Sequence, residues 1–156
     1  MNNPIIHKSQ IKDVKFGLNV TVIEPVNIYE CMIGNNTFIG PFVEIQKNVQ
    51  IGENCKVQSH SFICELVKIG DNTVVSHGVM FINDLFVTGK PANGNKDLWK
   101  STNIGNNVSI GSNVTILPVD ICDNVVIGAG AVITKDIKTP GVYIGNPAVK
   151  IRDIVE

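Results

Sequence analysis

The sequence predicts an all-β solenoid whose short parallel strands stack into a triangular β-helix. Three observations predict it. The pair Ile-Gly recurs at 33, 39, 51, 69, 104, 110, 127 and 144, and the first four positions differ by multiples of six. An aliphatic or aromatic anchor fills every sixth place over a run of nine: Ile33, Ile39, Ile45, Ile51, Val57, Ile63, Ile69, Val75 and Phe81. Four residues after each anchor up to Val75 stands a small or β-branched residue: Thr37, Val43, Val49, Cys55, Ser61, Val67, Thr73 and Val79. Neither a helix nor simple strand alternation produces a period of six. A short strand followed by a tight turn does. Three such units close a coil of about eighteen residues whose anchors point inward, each coil burying its face against the next.

Taken in order, the repeat starts one residue out of phase, at Phe16, Val22 and Ile28. It runs unbroken to Phe81 and stops for a long loop, about 83–103, that is rich in turn residues and holds the single tryptophan, Trp99. A long loop thrown out of a regular solenoid is usually functional; packing on a neighbouring subunit is the other role open to it. The repeat resumes at Ile104, Ile110 and Ile116, slips once more, and ends with Ile121, Ile127 and Ile133. From Gly141 the period is lost, and this segment reads as a C-terminal cap over a coil edge that would otherwise invite aggregation. The whole, 1–156, reads as one domain of roughly six coils.

Composition narrows the function classes. Hydrophobic residues make up 44% and charged residues 17%, which excludes a disordered chain. No apolar run nears the roughly 20 residues of a membrane span. The formal net charge of −1 supplies no basic field for nucleic acid. Met1-Asn2-Asn3-Pro4 lacks the basic and then apolar layout of a signal peptide. Cys31, Cys55, Cys64 and Cys122 contain no C-x-x-C spacing and read as reduced thiols, so the expected location is cytoplasmic.

Residues eighteen apart stack about 4.8 Å apart on successive coils. Asn35, Glu53 and Asp71 form one such column, which reads as a solvated ladder. Pro41, Ser59 and His77 form a second, and Lys47, Glu65 and Asn83 a third. The expectation is one cluster beside the loop, made of Ser59, His60, Glu65, His77, Asn83 and Asp84. His60 or His77 reads either as a general base for an incoming hydroxyl or amine, or as a structural turn residue or substrate hydrogen-bond donor. The histidines His7, His60 and His77 lack metal-ligand spacing, so no metal is expected.

The hexapeptide pattern resembles the hexapeptide-repeat acyltransferases over roughly residues 16–138. The resemblance implies a left-handed parallel β-helix that trimerises, with each active site between two subunits. The closing G-N-P-A-x-x-x-R, Gly145 to Arg152, resembles the end of acetyl-CoA-dependent members. It implies a pantetheine arm lying beside Gly111, Ser112, Gly128, Ala129, Gly130 and Ala131, near Pro147. Lys135, Lys138, Lys150 and the single arginine, Arg152, would then meet the phosphates. Members that N-acetylate a nucleotide-linked 3-amino sugar look similar in the one-coil spacing of Glu65 and Asn83 and in the loop leaving after the Asn. By that resemblance Glu65 and Asn83 hold the sugar amine near the thioester, with His60 as a further catalytic candidate. Ser59, His77, Asp84 and Lys47 are substrate-binding candidates, and a backbone N–H between Ser101 and Gly105 would face the oxyanion.

The implied activity is an acetyl-CoA-dependent N-acetyltransferase for a dTDP-3-amino-3,6-dideoxyhexose, in surface polysaccharide biosynthesis. The alternatives are a UDP-linked 3-amino or 4-amino sugar N-acetyltransferase, an O-acetyltransferase using His60 or His77 as base, and a non-catalytic assembly module.

Overall fold

The computed structural model describes residues 4–155; Met1–Asn3, read above for a leader, and Glu156 lie outside the described residues. From Met32–Ile33 to Val132–Ile133 each hexapeptide becomes a strand of two or three residues whose last residue is the buried anchor and whose preceding residue points outward, as in Glu44–Ile45 and Phe62–Ile63. The strands collect into three sheets of seven, six and eight, the sides of a triangular prism. Neighbours within the coils are parallel and in register, so Phe62 lies between Glu44 and Met80. Seven strands in the first sheet make seven turns, one more than the sequence count.

Inside, the anchors form stacked columns. Ile28, Ile45, Ile63, Phe81, Ile116 and Ile133 line the first sheet, all buried. Burying such a side chain contributes about 1.5–3 kcal/mol. The small residue four places after each anchor turns inward at the corner. Where it is Thr or Ser, its hydroxyl links coils: Thr37 Oγ1 donates to the Gly52 carbonyl and accepts from the Cys55 N–H, and Ser61 Oγ does the same with Ser76 and Val79. Among the described residues no buried side-chain polar atom is left without a partner.

The three corners differ. At the second corner, between the second and third sheets, every coil from Asn19 to Asn124 places an asparagine in the left-handed region: Asn19, Asn36, Asn54, Asn72, Asn107 and Asn124. Asparagine tolerates that conformation better than other L residues with a side chain. Their amides bond from coil to coil, as from Asn19 to Asn36 and on to Asn54. The adjacent column of Asn35, Glu53 and Asp71 is more than the solvated ladder expected. Asn35 Oδ1 and Asp71 Oδ1 accept the N–H groups of Leu18 and Glu53, one coil earlier. The third corner, from the third sheet back to the first, also holds six-residue spacing throughout.

Every irregularity falls on the first corner, between the first and second sheets. The phase slips at Ile11 to Phe16, Ile28 to Ile33 and Ile116 to Ile121 are corners shortened by one residue there. The loop leaves from the same corner. It spans 82–101 rather than 83–103, because Thr102–Ile104 already forms a strand paired with Val67–Ile69. The C-terminal cap is a hairpin. Gly141–Gly145 continues the third sheet beside Val125–Ile127, and Ala148–Arg152 returns antiparallel along its edge.

Cys31, Cys55 and Cys64 are buried and Cys122 half-buried, all as free thiols. Burial pushes the Cys64 thiol up to about 12 and Cys31 up to about 11, which keeps both neutral as packing residues. No helix among the described residues is long and apolar enough to cross a membrane.

Coil stacking sets a strict limit at the glycines after the anchors. A Cβ on Gly34 would lie 2.5 Å from the carbonyl of Gly52 on the next coil. Gly34→Ala is expected to lower stability by about 1–3 kcal/mol through overpacking, read as a reduced urea midpoint.

Candidate functional site

The first corner builds the best-defined polar site. Lys47, Glu65 and Asn83 stack there on three successive coils, as their spacing predicts. The Glu65 side chain is buried, with the residue only 7% exposed. Its backbone N–H donates to Gln46 Oε1 at 3.3 Å, and Asn83 Nδ2 donates to its carbonyl at 3.3 Å. Its carboxylate faces the loop, where Lys96 Nζ donates to Oε2 at 2.8 Å. Lys47 Nζ approaches Oε1 at 4.0 Å.

Local sequence explains how Lys96 reaches that place. Asp84 ties the loop to itself, accepting the N–H groups of Phe86 and Ala92. Asp84 also bridges Trp99, and the Lys100 N–H donates to the Asn83 carbonyl, which closes the neck of the loop. Within it a single 3₁₀ turn, Lys96–Leu98, is capped by Asn95 Oδ1 on the Asp97 N–H. Lys96 Nζ also lies 5.5 Å from the centre of the Trp99 ring, within reach of a cation–π contact.

The charge at this corner favours a cation. The hydrogen bond to Glu65 raises the Lys96 pKa, so its ammonium stays charged. Tyr29, half-buried, has its hydroxyl pKa raised by burial first and then by Glu44, Glu65 and Glu30, with Lys96 opposing. Tyr29, Gln46 and Lys96 escaped the sequence analysis, which noted Trp99 only as part of the loop. Gln46 had a signal, since it directly precedes Lys47 in the chain. Tyr29 was hidden by the phase slip, and Lys96 sits in a loop with no period.

The other expected members do not join this cluster. Ser59, His60 and His77 stand on the third corner, at the opposite edge of the first sheet. His60 and Glu65 share a coil but lie five residues apart, about 16 Å for extended chain. Columns report vertical neighbours only; the side of the prism separates these two laterally. His60 stacks instead on Phe42, ring centres 4.9 Å apart and planes inclined by 28°. The three ion pairs among the described residues involve no histidine. Asp84 is committed to the loop backbone.

The residues expected to hold coenzyme A also divide. Gly111, Ser112, Gly128, Ala129, Gly130 and Ala131 share the third corner of the last coils, and the Gly128 N–H donates to the Tyr143 carbonyl of the hairpin that turns at Asn146-Pro147. Gly111 is itself required by stacking, because a Cβ there would sit 2.5 Å from the Ala129 nitrogen. Lys150 and Arg152 run back along the hairpin toward the second corner. Lys150 pairs with Asp153 and Arg152 donates to the Asp153 carbonyl. Lys150 lines a groove of about 780 Å³ with Asn107, Asn124, Val126, Thr139 and Pro140. Lys135 follows the strand Val132–Ile133 at the first corner, and Lys138 follows Ile137 on the second sheet, so the four cations form no single cluster. Of the segment 101–105, the N–H groups of Thr102, Asn103 and Gly105 donate to carbonyls of neighbouring coils. Among the described residues no group of three or more His, Cys, Asp or Glu could hold a metal ion.

Known proteins share this architecture. The bacterial transferase hexapeptide family (six repeats) matches residues 30–65, and the hexapeptide repeat of succinyl-transferase matches residues 102–135. The bifunctional protein GlmU of a Synechococcus species is 30% identical over 154 residues, covering 93% of this chain and 34% of that protein. The chain thus spans about a third of the length of that relative. Galactoside O-acetyltransferase of Escherichia coli is 39% identical over 133 residues, covering 78% of this chain and 63% of the relative. Among solved structures, the N-acyltransferase AntD from Bacillus cereus, in complex with dTDP and coenzyme A, superposes with a TM-score of 0.78 at 22% identity. The superposition covers 89% of this chain and 83% of AntD.

The Lys96 clasp makes the loop a test of the site. Lys96→Met is expected to speed amide hydrogen exchange across residues 84–99 while leaving the coils protected, as read by exchange mass spectrometry.

Proposed function

The chain belongs to the bacterial hexapeptide-repeat transferases, whose left-handed parallel β-helix it shares, and from that premise we propose that it is an acetyl-CoA-dependent N-acetyltransferase. The acceptor is the amine of a nucleotide-linked sugar, a dTDP-3-amino-3,6-dideoxyhexose, made for surface polysaccharide in the cytoplasm. The observation that carries this reading is the Glu65 carboxylate, buried and already holding a primary ammonium, that of Lys96, at 2.8 Å. A site that holds one alkylammonium in this way has the chemistry to hold another. Glu30 and Glu44 add negative potential there and disfavour an acceptor that carries a carboxylate, such as a uronate.

In this mechanism the acceptor ammonium exchanges with Lys96 at Glu65 and releases one proton to water to reach its neutral form. Asn83 and Glu65 orient the nitrogen, and positioning supplies most of the rate. The nitrogen attacks the thioester carbonyl, the C–S bond breaks, and the second proton passes from nitrogen to the departing thiolate. The hairpin groove beside Lys150 and Arg152 offers cations to the phosphates of coenzyme A, and guanidinium suits a bidentate phosphate contact. The active unit is a homotrimer, in which the neighbouring subunit completes the site.

An O-acetyltransferase is the second reading, favoured by the likeness to galactoside O-acetyltransferase. It requires a general base, which only the third corner, with His60 and His77, would supply. Thiol release from acetyl-CoA, measured against dTDP- and UDP-linked 3-amino and 4-amino sugars and their hydroxyl parents, separates the two. Turnover of a dTDP-3-amino sugar is expected, falling about 100-fold in kcat/KM for Asn83→Ala, the scale of a misplaced reactant. Turnover of hydroxyl parents alone would establish the O-acetyltransferase instead.

A further inference from the structure

The third corner departs from the rule that builds the second. The second places one residue in the left-handed region on each of six coils, and the third does so on five. The second corner uses asparagine at all six such positions. The third uses Phe42 (φ 60°), His60 (φ 64°), Gly78, Asn113 and Gly130. A bulky side chain with positive φ is a genuine outlier, since its Cβ crowds the following carbonyl. Burial does not offset that cost at Phe42, which is 57% exposed, nor at His60, which is also exposed. Asparagine would serve the fold better at both positions.

What the two residues do share is a stack. Their rings lie 4.9 Å apart, one coil rise, and are inclined by 28°. The next rung of the column is Gly78, which has no side chain. Beyond it, the Asn113 amide oxygen already fills the place a Gly78 Cβ would take. The column thus reads ring, ring, and a glycine capped by an amide. The exposed His60 ring, with a glycine beside it that carries no side chain and a carboxamide beyond, fits a flat molecule with hydrogen-bonding edges.

We propose that Phe42 and His60 form a stacking platform for a nucleobase, seated on His60 at the Gly78 rung with its polar edge toward Asn113. This assignment rests on the nucleotide-linked acceptor proposed above, and gives that acceptor its path. The base sits at the third corner, and the sugar amine reaches Glu65 at the first. Between them lie the outward side chains of Glu44, Phe62 and Met80 on the first sheet, a span of about 16 Å. The strain at Phe42 and His60 is then the kind that persists where function requires it. His60 belongs to substrate recognition in this account, not to proton transfer.

Calorimetric titration of the full chain with dTDP, UDP and coenzyme A tests the proposal, with thermal unfolding of each variant alongside. Phe42→Asn and His60→Asn are expected to weaken dTDP and UDP binding by roughly 5- to 150-fold, the range for losing one base–aromatic stack. Coenzyme A affinity is expected to stay unchanged. The unfolding midpoint of each variant is expected to hold or rise, because asparagine suits the left-handed corner; a residue retained for packing alone would show the reverse. Undiminished dTDP binding in both variants would overturn the platform while leaving the nucleotide-linked acceptor standing. Loss of coenzyme A binding instead would assign the platform to the adenine of the acyl donor and overturn the proposal. Failure of the unmodified chain to bind either pyrimidine nucleotide would overturn both readings.

Discussion

Outside the loop, successive coils are joined by main-chain hydrogen bonds at a repeat of sixteen to eighteen residues, and every other feature depends on that register. It places each anchor over the last, so that the core is a set of columns with no separate layers to dock. It also fixes the corners, where a left-handed residue turns the chain and small residues let coils approach. Because the coils tolerate so little change, variation is confined to one edge. The first corner alone is shortened, lengthened or opened into a loop, and it carries the densest polar cluster of the molecule.

That concentration has a physical basis. A corner sits at the end of two sheets, where fewer ladder bonds constrain the chain. An insertion between Phe81 and Ile104 leaves the pairing of Val67–Ile69 with Thr102–Ile104 intact. The loop can therefore bring Lys96 back onto Glu65 at no cost to the register. The buried carboxylate in turn needs a cation, since an unpaired charge there would be expensive. Glu65 and the loop thus depend on each other, and whatever displaces Lys96 must itself bring positive charge.

Much of this was legible in the sequence, and the limits follow from what a period encodes. Nine anchors in step gave the triangular solenoid, its inward face and the interruption. One-coil spacing gave the Lys47, Glu65 and Asn83 column. Spacing by whole coils says which residues lie above one another, but it is blind to width. Ser59, His60 and His77 were therefore expected beside Glu65 when a full side of the prism separates them. The partners of Glu65 were hidden for separate reasons: Tyr29 by a shortened corner, Lys96 by a loop without period. Phe42 carried a readable signal, an aromatic where the equivalent turns hold Asn or Gly, although only the backbone angles show its strain.

The claim at the centre of this account is that Glu65 receives the acceptor's ammonium in place of Lys96. Trp99, the single tryptophan, lies against Lys96 and reports on that exchange. Its emission should change on titration with a dTDP-3-amino sugar, without acetyl-CoA, and stay constant with the matching hydroxyl sugar. Equal responses to the two sugars, or none to the amine under conditions where it is shown to bind, would contradict the account.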